Sequence, residues 1–547
     1  AHRVPRPAHP QMIDDPFRAG LASGWRHIDA ADLAADATLE ADVVIVGSGA
    51  GGGVSADLLS AAGLRVIIVE EGPLFTTGDF RMREADAYPA LYQESAARKT
   101  ADKAINILQG RCVGGSTTVN WTSSFRTPPA TLAWWQQAHG LAQLSEDALA
   151  PWFQAMEARL GIRPWPGEPN ANNALLARGA ARLGIPTAVI PRNVRRCWNL
   201  GYCSMGCPTN AKQSMLLTTL PAALARGATL VSRLRAQAFV FTGQRATALR
   251  ALALGRDGIA PSGATVTLRA RHFVLAGGAI NSPALLLRSA SPDPHGHLGR
   301  RTFLHPTVVS AARFPQAVKG YAGAPQSVYS DHFLHQHPID GPLGFKLEVP
   351  PLHPVLFSTT LPGFGRDHAA TMADFPRTQA VIALLRDGFH PQSRGGTVTL
   401  RGDGSPRLDY PQNEPIWEGA RRALLAMAEI QFAAGAETVR PVHEAAPAYA
   451  GLAAARAGIA ALPLAPLACR VVSAHVMGGC AMADAPAHGV ADHRGRHFQI
   501  ENLSIHDGSL FPTSIGANPQ LSIYGLVARN SALLAAELTG RPAPPIF

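Results

Sequence analysis

Three groups of residues carry the chemistry available to this chain: a glycine-rich turn, a knot of cysteines and a large set of histidines. Gly47, Gly49 and Gly52 are spaced G-x-G-x-x-G, and Glu70 follows 18 residues after Gly52. In a dinucleotide site the first glycine permits a tight turn, the second lets the backbone approach a pyrophosphate, and the third allows close helix–sheet packing. An acid at the end of the next strand accepts hydrogen bonds from a ribose hydroxyl. This stretch leaves open whether the dinucleotide is FAD or NAD. Cys197, Cys203 and Cys207 fall within 11 residues as C-x5-C-x3-C-P. Three thiolates can hold an iron–sulfur cluster, or the loop can carry one disulfide and a spare thiol. The 20 histidines offer general bases that work near neutral pH, but residue type alone does not choose among them.

The surrounding elements must position these groups. Val43–Val46 is a short β-branched run that reads as a buried strand. A helix from Val54 to Ala62, closed by Gly63, and a second strand, Arg65–Val69, complete a strand–turn–helix–strand unit ending on Glu70. His272–Ala276 is another strand entering a glycine turn at Gly277 and Gly278. Phe75–Asp102 looks helical in parts and is expected to pass over the cofactor. Asp14-Asp15-Pro16 marks a turn or helix start, followed by an amphipathic piece to Leu33. Val398–Leu400 and Leu408–Tyr410 flank Gly402-Asp403-Gly404 as a hairpin, and Ile416–Glu437 has helical periodicity.

The bulk numbers bound the class. A chain of 547 residues is too long for one simple core, and 46% hydrophobic with 16% charged residues indicates a globular protein. The net charge of +10 comes from scattered basic residues with no run of five, so no nucleic-acid partner is expected. No stretch approaches 18 apolar residues, and the N-terminus lacks an apolar signal core, so no transmembrane segment is expected. The chain is expected to be soluble, cytoplasmic or periplasmic, or peripheral on a membrane. Ala1–Gln11 reads as a flexible arm.

Further motifs join the glycine turn: GRCVGGSTTVN at 110–120, GAINSPALLLRS at 278–289, SAHVMGGCAM at 473–482, GVAD at 489–492, and NLSIHDGSLFPTSIGANPQLSIYGLVARN at 502–530. Together they resemble the glucose–methanol–choline (GMC) family of FAD-dependent oxidoreductases, on the branch of long-chain alcohol oxidases, cholesterol oxidases and cysteine-cluster dehydrogenases. The second signature departs from the family only at Ala290, where glycine is usual. His305 falls where the family places a histidine. The resemblance implies an α/β fold: a Rossmann-like FAD domain from segments 41–130, 205–310 and 470–547, and an inserted α+β substrate domain with a mixed or antiparallel sheet from 131–204 and 311–469. Residues 1–40 form an N-terminal arm.

By the same resemblance, His475 is the active-site base and Asn518 its partner, an amide that donates to the substrate oxygen without exchanging a proton. Gly47, Gly49, Gly52, Glu70, Gly114, Gly115, Ser116, Asn120, Ala238, Asp507, Gly508 and Asn518 are expected to bind the cofactor. No histidine lies between Gly110 and Thr127, so FAD is expected to be non-covalent. The cysteine spacing resembles family sugar dehydrogenases that carry a [3Fe–4S] cluster, with Cys197, Cys203 and Cys207 as ligands, whereas Asn210–Ser214 looks like the alcohol and cholesterol oxidase branches. The expected activity is oxidation of an alcohol to an aldehyde or ketone by hydride transfer to flavin N5, with oxygen, a quinone or a cytochrome as acceptor. Pro350–Phe364 and Ala380–Leu385 offer apolar walls, so an apolar or bulky alcohol is expected. Hydroxynitrile lyase or decarboxylase chemistry on the same scaffold is the alternative.

Overall fold

The computed structural model describes residues 13–543; the expected flexible arm at 1–11 lies outside the described residues. Two sheets organise the rest. The first runs in the order Arg26–Asp29, Thr229–Ser232, Val66–Val69, Ala37–Val46, Pro261–Leu275, Arg245–Leu254 and Leu234–Thr242, with Leu503–Ile505 also pairing with Pro261–Leu275. Its centre is parallel: Val44 pairs with Ile67 and with Phe273, and Phe273 pairs with Leu503. Val43, Val44 and Ile45 are fully buried, as expected of parallel strands covered on both faces. Ala50–Ala61 forms the helix after the glycine turn, four residues longer at its start than expected, because Gly49 is its N-cap. It packs against the Gln520–Thr539 helix, which closes the chain over the sheet. The parallel strands end together at Gly47, Glu70, Ala276 and His506, where ligands bind in doubly wound folds.

The second sheet runs Ile105–Ile107, Val471–Ser473, Thr307–Arg313, Thr378–Leu385, Phe345–Glu348, Val328–Ser330 and Ala188–Val189. Its pairs are antiparallel except Ile105–Ile107 with Val471–Ser473. Strand period two divides its side chains between two cores. Val381, Ala383 and Leu385 pack under the Glu414–Ala433 helix. Ala380, Ile382 and Leu384 face a separate apolar cluster with Phe357, Leu361 and Phe375.

Two features differ from the segment boundaries drawn from the sequence. The strand Ala37–Val46 crosses the boundary at 40, and Arg26–Asp29 pairs with Thr229–Ser232, so 26–40 is part of the first sheet rather than an arm. Ile105–Ile107 and Val471–Ser473, expected in the cofactor domain, pair with each other in the second sheet. The chain therefore leaves that sheet at Ser473, two residues before His475, and this carries the histidine to the junction of the sheets.

Candidate active site

A cavity of about 920 Å³ runs from the glycine turn to His475 and Asn518, within the range of small-molecule and cofactor sites. Its far end is a cradle of backbone. Gly47 has φ +100°, and a Cβ there would run into the carbonyl oxygen of Ala276. A Cβ on Gly52 would strike the carbonyl of Gly47, which is the close helix–turn packing the motif predicts. Gly49 is different: the nearest atom to a Cβ there is Gly115 Cα, at 3.7 Å, and the residue opens on the cavity. The two glycine signatures thus face one another across the turn.

Glu70 is buried at the cavity wall, where its carboxylate accepts from the backbone N–H and hydroxyl of Ser48 (3.1 and 2.6 Å) and from Gly72 N–H (2.8 Å). Burial pushes its carboxyl upward against these donors. Asp507 accepts from Gly278 N–H (2.8 Å), the Ser282 hydroxyl (2.5 Å) and Ser509 N–H (2.8 Å). It therefore ties the 277–278 turn to the end of the Leu503–Ile505 strand while lining the cavity. Gly115, Ser116, Asn120 and Gly508 line it as well; Gly114 stands behind, its N–H donating to Ser48 Oγ at 3.0 Å. Ala238 is not part of the wall. On the Leu234–Thr242 strand it is Leu234, Arg235, Ala236 and Gln237 that reach the cavity.

At the other end stands a buried polar chain. Asn518 Nδ2 lies 3.4 Å from His475 Nε2 and donates to Glu348 Oε2 at 3.1 Å. Gln326 Nε2 donates to the same oxygen at 2.7 Å, and Lys346 Nζ lies 3.7 Å from Glu348 Oε1. The ammonium also sits 3.0 Å from the centroid of Phe125, a cation–π contact. Burial pulls Lys346 down and pushes Glu348 up, each opposed by the other's charge. On the opposite side of His475, His305 Nδ1 is 3.2 Å from His475 Nδ1. Gly516 N–H donates to His305 Nε2 at 3.0 Å. That nitrogen is an acceptor, so the His305 proton is on Nδ1 and points at His475. Asp387 anchors the segment by accepting from Leu304 and His305 N–H at 3.0 and 3.1 Å. Burial, and secondarily the Lys346 charge, hold His475 down at about 3, so it is neutral at physiological pH.

Profiles described as GMC oxidoreductase match residues 88–307 and 391–526. A GMC-type oxidoreductase of Mycobacterium tuberculosis is 32% identical over 505 residues, covering 91% of this chain and 76% of its own length. This chain belongs to the GMC oxidoreductase family. A long-chain-alcohol oxidase of Arabidopsis thaliana, FAO4A, is 28% identical over 509 residues, or 89% of this chain and 67% of the relative. Among solved structures, pyridoxine 4-oxidase from Mesorbium loti matches with TM-score 0.66 at 21% identity, covering 90% of this chain and 98% of that one. Formate oxidase of Aspergillus oryzae RIB40 matches at 0.66 and 17%, covering 92% and 100%. The enzyme is thus a flavin-dependent oxidoreductase of alcohol-type donors, with the α/β fold of its family.

The GMC assignment makes FAD the dinucleotide, and the cradle fits it: Gly49 lines the cavity with no side chain and Gly115 packs against it with none, as close approach of a pyrophosphate requires. Glu70, expected at the ribose, lines the same end of the cavity. The iron–sulfur expectation is not met. Among the described residues no group of three Cys, His, Asp or Glu is arranged to hold a metal ion. Two buried cations occupy the inside of the cysteine loop. Arg192 lies 3.6 Å from Cys203 Sγ, and Lys212 Nζ donates to the carbonyls of Cys203, Thr118 and Asn120 at 2.6, 2.8 and 2.8 Å. Cys197 Sγ accepts from Asn199 N–H, and Cys207 Sγ meets the Thr209 hydroxyl. The loop braces residues 118–122 at the cavity instead of collecting thiolates. Sequence reasoning missed Lys346, Glu348 and Gln326. The one signal was two charged residues alternating with Phe345 and Leu347 in an otherwise apolar strand.

Proposed function

We propose that the enzyme oxidises an apolar or bulky alcohol to the aldehyde or ketone, with His475 as base and Asn518 positioning the hydroxyl. One observation carries the reading. His475 and Asn518, 43 residues apart in sequence, meet at 3.4 Å on the wall of the cavity that holds the glycine cradle. FAD held in that cradle supplies, at N5, the acceptor for the hydride of the carbinol carbon. Trp121, Ile382, Leu384 and Val472 give the same region an apolar side, which supports the substrate class, and oxygen is the simplest acceptor given the oxidases among its relatives.

A second reading of the pair is favoured by the hydrogen-bond directions. Because His305 donates to His475 Nδ1, the resting neutral imidazole carries its proton on Nε2 and is a donor toward the site. Asn518 Oδ1 has no partner among the described residues, so the amide offers an acceptor there. Base action at Nε2 then requires the two imidazoles to shift tautomer at the expense of the Gly516 contact. Two variants separate the readings. His475→Ala removes both functions. His475→Gln keeps a donor and lacks a base, so a loss of about 10²–10⁴-fold supports the base and a loss under about tenfold supports the donor. Anaerobic bleaching of the bound flavin by an alcohol tests the redox assignment itself; no bleaching by any primary or secondary alcohol would sink it.

A further inference from the structure

The helices Pro354–Thr360 and Gly365–Ala373 roof the apolar side of the site, and their outer face carries the most exposed large apolar side chain among the described residues. On the inner face, Phe357 and Leu361 join Ile382 and Leu384, against which Trp121 and Val472 of the cavity wall also pack. On the outer face Phe364 is 91% exposed and Val355 45% exposed; no residue of 350–364, expected from the sequence to wall the pocket, lines the cavity. Phe364 sits on a two-glycine tip: Gly363 and Gly365 have φ +84° and +63°, and nothing lies within 4 Å of a Cβ at either. The tip is held out from the body, not merely uncovered. His368 Nε2 lies 2.9 Å from the Ser358 carbonyl and joins the two helices.

A second segment brings the same chemistry to the same place. The buried Glu84 carboxylate accepts from Val355 and Leu356 N–H at 2.7 and 2.9 Å, so residues 81–83 abut the start of the first roof helix. There Met82 is 38% exposed, at φ +55°, between the exposed Arg81 and Arg83. Arg366, next to Gly365 of the tip, is exposed as well. The nearby acids are Asp86, 3.6 Å from Arg83, Asp374, 3.0 Å from Arg313, and Asp367. The arginines therefore outweigh the carboxylates, in keeping with the +10 chain.

We infer that Phe364, Val355 and Met82, with Arg81, Arg83 and Arg366, form a docking surface for an anionic lipid bilayer on the roof of the active site. Separated apolar side chains flanked by guanidinium groups suit an interface where the former enter the acyl boundary and the latter meet phosphates. A second copy in a homodimer would call for a closely packed, more apolar core than these separated side chains provide. That the bilayer also delivers the alcohol rests on the proposed function; the docking itself does not.

The test is flotation of the full chain with vesicles of phosphatidylcholine alone or mixed with phosphatidylglycerol, beside turnover of a short water-soluble alcohol. The protein is expected to float with the mixed vesicles, less so at high salt. Phe364→Asp with Val355→Asp is expected to weaken binding about tenfold or more with soluble turnover unchanged. Wild-type protein that stays unbound to both vesicles overturns the inference, as does a double variant that binds like wild type. A dimer by light scattering that the double variant splits, without vesicle binding, assigns the surface to a second copy and also overturns it. Vesicle binding without turnover of any alcohol would leave the docking surface standing and remove the catalytic reading.

Discussion

His305 and His475 face each other through their Nδ1 atoms at 3.2 Å, with Gly516 N–H on the far nitrogen of His305. This contact fixes both the orientation and the tautomer of the His475 imidazole, the proposed base, from outside the cavity. Packing around the ring, with the Lys346 charge second, holds His475 at about 3. The acting form is neutral, so activity is lost only as pH falls through that value, and kcat/KM is expected to be flat with respect to this group across neutral pH. In His305→Ala, water enters beside the ring, its pKa climbs toward the unperturbed value of about 6.5, and an acid limb appears below roughly pH 6.5. The pH profile of kcat/KM checks this. Reduced activity with an unchanged flat profile would make His305 merely structural.

Glu348 holds Asn518 and Gln326 through one oxygen and Lys346 through the other. Glu348→Leu strands the Lys346 ammonium in the interior, which costs about 3–5 kcal/mol. Lys346 is pulled down by burial, so it sheds its proton as pH rises, and the destabilisation is expected to shrink in alkaline buffer. Glu348→Gln keeps an acceptor for Asn518 and is expected to recover part of kcat. Melting curves at acid and alkaline pH, with kcat for both variants, decide the matter. A destabilisation that grows with pH would contradict the ion-pair account.

The cofactor end was legible because its constraints are local. Gly47 is required by its own positive φ and Gly52 by the Gly47 carbonyl within the same turn, so spacing alone exposes them. The meeting of His475 and Asn518 was anticipated only through family motifs, since it depends on how the Val471–Ser473 strand leaves the second sheet. Lys346 and Glu348 were hidden in a short strand whose partners, Phe125 and Asn518, lie some 170–220 residues away in sequence. The cysteines misled because spacing reports which ligands are available and not what fills the space between them, here Arg192 and Lys212.

The glycines separate cofactor binding from folding. At Gly49 a Cβ meets only Gly115 Cα at 3.7 Å, so Gly49→Ala is expected to leave apoprotein stability within about 0.5 kcal/mol while the methyl group enters the cradle and FAD retention falls. At Gly47, φ is +100° and the Cβ would meet a carbonyl, so Gly47→Ala is expected to cost about 1–3 kcal/mol of folding stability. Flavin content after gel filtration and apoprotein melting, measured on both variants, test the contrast. Equal flavin retention by Gly49→Ala and wild type would show that the cradle is not the pyrophosphate site.

Lys212 is the residue through which the cysteine loop reaches the active site. Its ammonium, lowered to about 8 by burial, donates to the carbonyls of Thr118, Asn120 and Cys203. Lys212→Met leaves those three acceptors buried and unpaired, at about 1–3 kcal/mol each where they do not find water. The 118–122 segment that carries Asn120 and Trp121 is then free to shift at the cavity. The variant is expected to lose about tenfold or more in kcat/KM, with weaker flavin retention. Cys197→Ser touches none of these bonds and is expected to stay within about twofold of wild type, with the same iron content as wild type by metal analysis. Iron bound stoichiometrically in wild type and lost in Cys197→Ser would reverse this account, making the thiols the organising groups of the loop and Lys212 their counter-charge.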